Sequence, residues 1–382
     1  MTAPVSPTAT SRIAVSTAAW ALSCAALGLW WLLEPGAYVL DDVTNEPTSL
    51  MMVLSPAAGS LLFLVLGLLG AGLAVSLVQA GTGSAGRRAL AAGGAGFAVF
   101  FGVVVPDLQV LSLLGYALAI LGGPILVAIL LAGSRRHRRN HLVLALMAAV
   151  VGIGVGTGQI GAPTVELFRN IRDGLATVGP RPLVLAFMLA GGLLFAATTV
   201  TAVHSADGHG DSPERLRRWG RRATILAAVC PLPYALLRMT WLTPWPQGLG
   251  EGHEEMLDDG VRVFGVSLGL AAVGGAWLTL GLISRWGEVW PAWLPGLRGR
   301  PVPVLAAVVP ASVVALALSA ASVSLVVMSL QNDVLWLLLM LPAPIWGPAL
   351  GLATYAYYRR RTAPTGDPRA LSRQPAPDAR VT

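Results

Sequence analysis

About ten apolar runs, most of them some twenty residues long, follow one another along this chain, and the short loops between them change charge sign at each crossing. A bilayer core about 30 Å thick is spanned by roughly 20 apolar residues of helix. No water in that core can satisfy an open backbone, so consecutive runs of this kind fold as a bundle of helices. The runs are Ile13 to Leu33, Pro56 to Val78, Leu90 to Val105, Leu108 to Ala132 and Leu142 to Ile160. They continue with Leu183 to Val203, Ala223 to Thr240, Val263 to Leu282, Val304 to Met328 and Val334 to Tyr357. Only Pro106-Asp107 separates the third from the fourth. A proline followed by aspartate supplies a turn, so the two are read as a tight hairpin. The seventh is short and holds Pro231 and Pro233, yet it joins a basic loop to an acidic one and therefore has to cross.

The loop charges give the orientation. One set of connections carries Arg87-Arg88, then Arg135, Arg136, Arg138 and Arg139, then Arg215, Arg217, Arg218, Arg221 and Arg222, then Arg285, Arg298 and Arg300, and last Arg359 to Arg361. The other set carries Glu34, Asp41, Asp42, Glu46, Asp107, Glu166, Asp173, Glu251, Glu254, Glu255, Asp258, Asp259 and Asp333. Basic loops stay in the cytoplasm. The expected fold is thus an all-α polytopic transmembrane bundle of about ten spans, N-in and C-in. Arg169, Arg172, Arg181, Arg238 and Arg262 break the pattern on the outer side. The expected organisation is a cytoplasmic tail over residues 1–12, one membrane domain over 13–358, and a disordered, Pro/Ala/Arg-rich cytoplasmic tail over 359–382.

Composition agrees. Charged residues make up 12% of the chain, against about 25% in a soluble domain. All 26 basic residues are arginine. Without lysine there is no P-loop, and so no ATP-driven motor. The arginines sit in short clusters between apolar runs, which argues against nucleic-acid binding. Cys24 and Cys230 fall within spans, as two small apolar side chains. The five histidines form no compact ligand pattern, so neither metal nor cofactor is expected. The apolar run from Ile13 exceeds the length of a signal peptide's core and is read as a retained helix.

The densest local pattern is Arg285-Trp286-Gly287-Glu288-Val289-Trp290-Pro291-Ala292-Trp293-Leu294-Pro295-Gly296-Leu297-Arg298-Gly299-Arg300-Pro301-Val302-Pro303. Tryptophan and arginine both suit the headgroup layer, so this loop is either an interfacial anchor or a gating or docking element. The candidate residues are Arg285, Trp286, Glu288, Trp290, Trp293, Arg298 and Arg300. If helical, Arg285 and Glu288 could pair at i,i+3. The run resembles an RWGExxPxWxPxxxGRxVP motif of poorly characterised multi-pass membrane proteins of actinobacteria. Pro233 to Trp241 resembles a second element of that group. The resemblance implies topology and a class of organism, and no mechanism.

Three further residues are candidate substrate or ion contacts: Arg238, Asp107 and Gln159. A charge within a span is costly and points to function by default. Arg238 is expected to turn inward, toward a backbone carbonyl freed by Pro231 or Pro233 or toward an acceptor on a neighbouring helix. Asp107 is either a turn residue or a cation or proton site. Glycine pairs inside spans, among them Gly191-Gly192 and Gly274-Gly275, are expected to let helices approach closely.

Three functions fit these features. The first is a secondary transporter or permease of a small molecule. The second is a non-catalytic accessory or sensory protein that meets a protein partner at the cytoplasmic face. The third, with the least support, is a membrane enzyme acting on a lipid substrate. All three place the chain in the lipid bilayer of a bacterial inner membrane as a multi-pass protein.

Overall fold

The computed structural model describes residues 7–41, 50–79, 84–115, 179–204, 213–243, 245–248, 259–291, 299–331 and 333–362, with scattered positions between 127 and 172. Among these residues the secondary structure is helical, apart from one isolated antiparallel bridge, Val289 to Pro301. The helices are α1 (Pro7–Leu33), α2 (Pro56–Gln79), α3 (Ser84–Val99), α4 (Arg181–His204) and α5 (Pro213–Val229). They continue with α6 (Leu232–Met239), α7 (Asp259–Leu280), α8 (Val304–Gln331), α9 (Trp336–Met340) and α10 (Ala343–Thr362).

Eight helical segments are long and apolar enough to cross a membrane among the described residues. They correspond to eight of the expected runs. Most of the fourth and fifth runs, with Gln159, lies outside the described residues. Two spans are broken. The seventh consists of α5, a turn at Cys230-Pro231, then α6; the tenth consists of α9, a break at Leu341-Pro342, then α10. Proline at each break supplies no N–H to the helix.

Small residues bring the helices together. A side chain at Gly28 of α1 would meet the backbone of Ser60 and Leu64, and one at Gly67 of α2 would meet the backbone of Ala21 and Ala25. The expectation for Gly191-Gly192 holds: Gly191 lies under the Trp20 indole, and Gly192 lies against Gly102. Around Gly274-Gly275, among the described residues, a side chain would meet nothing within 4 Å. An aromatic core fills the space these contacts leave, with Trp20 edge-on to Phe101 at 4.8 Å and Phe101 stacked with Phe195 at 6.2 Å.

The contacts define two ends of the bundle. At the acidic end meet the loop after α1, Asp107 beyond the end of α3 and the start of α4. At the arginine end meet the connection between α7 and α8 and the C-terminal turn of α10.

Candidate functional site

At the acidic end α3 runs into a π turn, Phe100–Val104, in which the Val105 N–H donates to the Phe100 carbonyl at 2.9 Å. Such a turn holds one residue more than an α turn and recurs at functional sites. Pro106 follows, and then Asp107. One carboxylate oxygen of Asp107 accepts the Gln109 N–H at 2.9 Å, and its carbonyl accepts the Val110 N–H at 3.2 Å. This is helix capping by aspartate, and residues 108–115 are helical.

The other carboxylate oxygen accepts a 2.7 Å hydrogen bond from a terminal nitrogen of Arg181. The two side chains are 0% and 2% exposed. The second terminal nitrogen of Arg181 donates to the carbonyls of Val39, at 3.1 Å, and Asp41, at 2.9 Å. One guanidinium therefore ties together the loop after α1, the cap after α3 and the start of α4. Cations are disfavoured at a helix start by the helix dipole. Arg181 is held there by Asp107 and the two carbonyls, and not by its own helix.

Among the described residues, two buried polar atoms at this pair have no hydrogen-bond partner, Nε of Arg181 and the hydroxyl of Tyr38; Oε1 of Gln109, two residues after Asp107, has none either. Tyr38 packs edge-on against Trp31 at 5.1 Å, and its ring fills the space left by Gly59 of α2. Burial and then the neighbouring Asp41 push its phenol up to about 12, with Arg181 pulling the other way. The hydroxyl therefore stays protonated at neutral pH and is free to donate. The site offers a cation–anion pair with a hydroxyl donor close by, at one helix junction. That set suits recognition of a small polar or charged molecule. Among the described residues no group of His, Cys, Asp and Glu is arranged to hold a metal ion.

Arg238 lies apart from this junction, in the last turn of α6. Its Nε donates to the Tyr234 hydroxyl at 3.0 Å, and its guanidinium carbon sits 4.0 Å from the centre of the Trp241 ring. The acceptor is on its own helix, four residues back, and neither of the expected acceptors is used. The facing helix α7 supplies Gly265 against Trp241 and Gly269 against Arg238, which leaves room for the stack.

At the arginine end the loop from Arg285 is a clasped structure. Arg285–Gly287 is a short 3-10 turn. Trp286 stacks on Trp277 of α7 with ring centres 4.5 Å apart. The Trp290 N–H donates to the Arg300 carbonyl at 3.0 Å, and the Val302 N–H to the Glu288 carbonyl at 2.9 Å. The end of α10 holds this fold. The Tyr357 hydroxyl donates to the Gly287 carbonyl at 2.7 Å. Arg360 reaches the Leu282 carbonyl at 2.8 Å and the Glu288 carboxylate at 3.0 Å. Arg361 reaches the Val302 carbonyl at 3.1 Å. Glu288 thus pairs with Arg360, and not with Arg285, which is exposed. The last helix continues through Arg359–Arg361 to Thr362, past the point where a disordered tail was expected to begin. Its arginines find carbonyls and a carboxylate there, which composition alone could not indicate. Trp293 and Arg298 lie outside the described residues.

The structure joins Asp107 to a residue outside the candidate set, Arg181. It leaves Arg238 and the loop as separate groups. Arg181 had one signal in the sequence: it is an arginine on the wrong side of the charge pattern, and Asp107 is an acid beside a proline on that same side. No family model, curated protein or solved structure matches this chain.

Proposed function

We propose that this chain is a secondary transporter or permease of a small polar or charged molecule in a bacterial inner membrane, with its arginine end in the cytoplasm. The observation that carries this reading is the buried Asp107–Arg181 pair, in which Nε of Arg181 and the nearby Tyr38 hydroxyl have no hydrogen-bond partner among the described residues. A bundle that only had to stand would do as well with apolar residues here, since a buried ion pair is weak evidence for stability. A protein that alternates between two arrangements has a use for it. Opening the pair would free a carboxylate and a guanidinium for a substrate, and the Tyr38 hydroxyl would gain a partner. The π turn before Asp107 and the breaks at Cys230-Pro231 and Leu341-Pro342 are places where segments can shift against each other. Discontinuous helices of this sort line the sites of many transporters.

The test is flux. Full-length protein reconstituted in liposomes would be screened with labelled amino acids, organic acids, sugars and inorganic ions. At least one should enter faster than into protein-free liposomes, and Asp107→Asn and Arg181→Gln should each abolish that uptake. If none enters faster, or if both variants transport normally, the reading is wrong.

A second reading has its own observation. The clasped Arg285–Gly287 turn presents a fixed surface at the arginine end, as an accessory protein acting through a partner would need. It predicts that Arg285→Ala abolishes the cellular phenotype of the chain while any flux is untouched.

A further inference from the structure

The first half of α5 carries charge that its own helix disfavours. Arg215, Arg218, Arg222, Ile225 and Val229 stand at alternating spacings of three and four, so they form one stripe along the helix. All five are exposed. The opposite face, with Gly220, Ala223 and Ala227, is buried, and Gly220 lies directly against Ala356 of α10. The stripe therefore faces away from the bundle. Its lower part is aliphatic: Ile225 and Val229 are 44% and 52% exposed, as side chains facing lipid would be. Its upper part is three arginines. Trp219 stands beside them, also exposed, with the Arg222 guanidinium 5.8 Å from its ring centre. Tryptophan and arginine together mark headgroup depth.

Among the described residues no carboxylate forms an ion pair with Arg215, Arg218 or Arg222. Arg218 and Arg222 are four apart, as are Arg217 and Arg221, and like charges at that spacing repel. Residues 205–222 hold five arginines against Asp207, Asp211 and Glu214. The three arginines at the end of α10 differ, since each donates a hydrogen bond to a protein side chain: Arg359 to Tyr355, Arg360 to Glu288 and Arg361 to Tyr357. The geometry also separates a lipid from a soluble anion. Arg222 lies one turn from the aliphatic part of the stripe, and Arg215 about 10 Å farther along. The headgroup layer is about 5–8 Å deep on each side. The three arginines thus cross the phosphate level on a lipid-facing surface.

We propose that the Arg215–Arg218–Arg222 stripe binds the phosphates of anionic phospholipids at the arginine end of the bundle. This site is independent of the transport reading, because it shares no residue with the Asp107–Arg181 junction.

The test uses full-length protein in neutral maltoside micelles, titrated with phosphatidylglycerol or phosphatidylcholine and read by native mass spectrometry and thermal melting. Phosphatidylglycerol should bind about tenfold more tightly than phosphatidylcholine, in line with the attraction of each juxtamembrane arginine to an anionic surface. The triple variant Arg215→Gln/Arg218→Gln/Arg222→Gln should lose that preference. The double variant Arg12→Gln/Arg88→Gln, which removes charge elsewhere at the same end, should keep it. If the triple variant does not fold, Arg218→Gln and Arg222→Gln singly should each weaken the preference. Equal binding of the two lipids overturns the proposal. So does a preference that survives in the triple and single variants, or one that inorganic pyrophosphate abolishes at physiological salt.

Discussion

The two ends of this molecule each carry an arginine–carboxylate pair, and the two pairs sit in opposite surroundings. Asp107–Arg181 is sealed, with 0% and 2% of the side chains exposed, while Glu288–Arg360 is 42% and 35% exposed. The sealed pair has incomplete surroundings: among the described residues, Nε of Arg181 and the nearby Tyr38 hydroxyl lack partners. The open pair sits in a clasp where Arg360 also has the Leu282 carbonyl and Tyr357 has the Gly287 carbonyl. A partly solvated pair contributes little, because water competes for both charges. A sealed pair is unforgiving, because removing one partner strands the other. One pair is part of a solvated clasp, and the other is closed off from water.

The largest effect should follow from stranding the buried carboxylate. Arg181→Met is expected to cost about 3–5 kcal/mol, measured by denaturation of the detergent-solubilised chain. The double variant Asp107→Asn/Arg181→Met should recover much of this loss, since Asn still caps the following helix. If the single variant costs under about 1 kcal/mol, the pair is hydrated, and the contrast with the other end disappears.

Next is the clasp's tightest point. A side chain at Gly287 would collide with the Gly281 carbonyl, and the loop would have to leave Tyr357 and Arg361. Gly287→Ala should cost about 1–3 kcal/mol by overpacking. It should also make the 285–303 connection more sensitive to limited proteolysis, while α1 to α4 stay protected. Equal proteolysis of both regions would show that the two ends do not behave separately.

Tyr38 gives a pH test confined to the acidic end. Its phenol is raised to about 12 from an ordinary value of 10.0. The folded state therefore holds this proton more tightly than the unfolded state. The stability associated with it is full below pH 10 and falls as pH rises from about 10 toward 12. Tyr38→Phe should remove that part of the pH dependence. At neutral pH it should leave stability unchanged or slightly raised, because the hydroxyl it deletes has no partner. If it also abolishes uptake without loss of stability, the hydroxyl serves the substrate.

Much of the fold was legible because membrane helices are set by length and polarity. The run from Pro56 gave α2 nearly to the residue, and Pro106-Asp107 gave the turn after α3. Pairings were not legible. Asp107 and Arg181 are 74 positions apart, and nothing local to either one names the other. Arg181 read as an exception to the charge pattern, when its partner was the reason for the exception. The π turn left no mark, since an inserted residue in an apolar run looks like any other. The clasp was hidden differently. Arg359 to Arg361 looked like the start of a polar tail, yet Tyr355 and Tyr357 stand four residues before Arg359 and Arg361, a spacing that places each pair on one helix face.

The smallest effect is the one that defines the open pair. Glu288→Gln removes a charge from a pair about two-fifths exposed at the carboxylate and one-third exposed at the arginine. The glutamine keeps an oxygen that can still accept from Arg360, and Arg360 keeps the Leu282 carbonyl at 2.8 Å. What is lost is Coulomb attraction in a solvated setting, about 0–1 kcal/mol. That loss should shrink further at high salt, because exposed charges are screened within about a Debye length. Arg181→Met should show no such salt dependence, since its partner is sealed from solvent. Melting both variants at low and high salt therefore sharpens the comparison without knowledge of a substrate. A Glu288→Gln loss well above 1 kcal/mol that persists in high salt would mean the clasp is sealed in the membrane, and the two ends would then differ in connectivity alone.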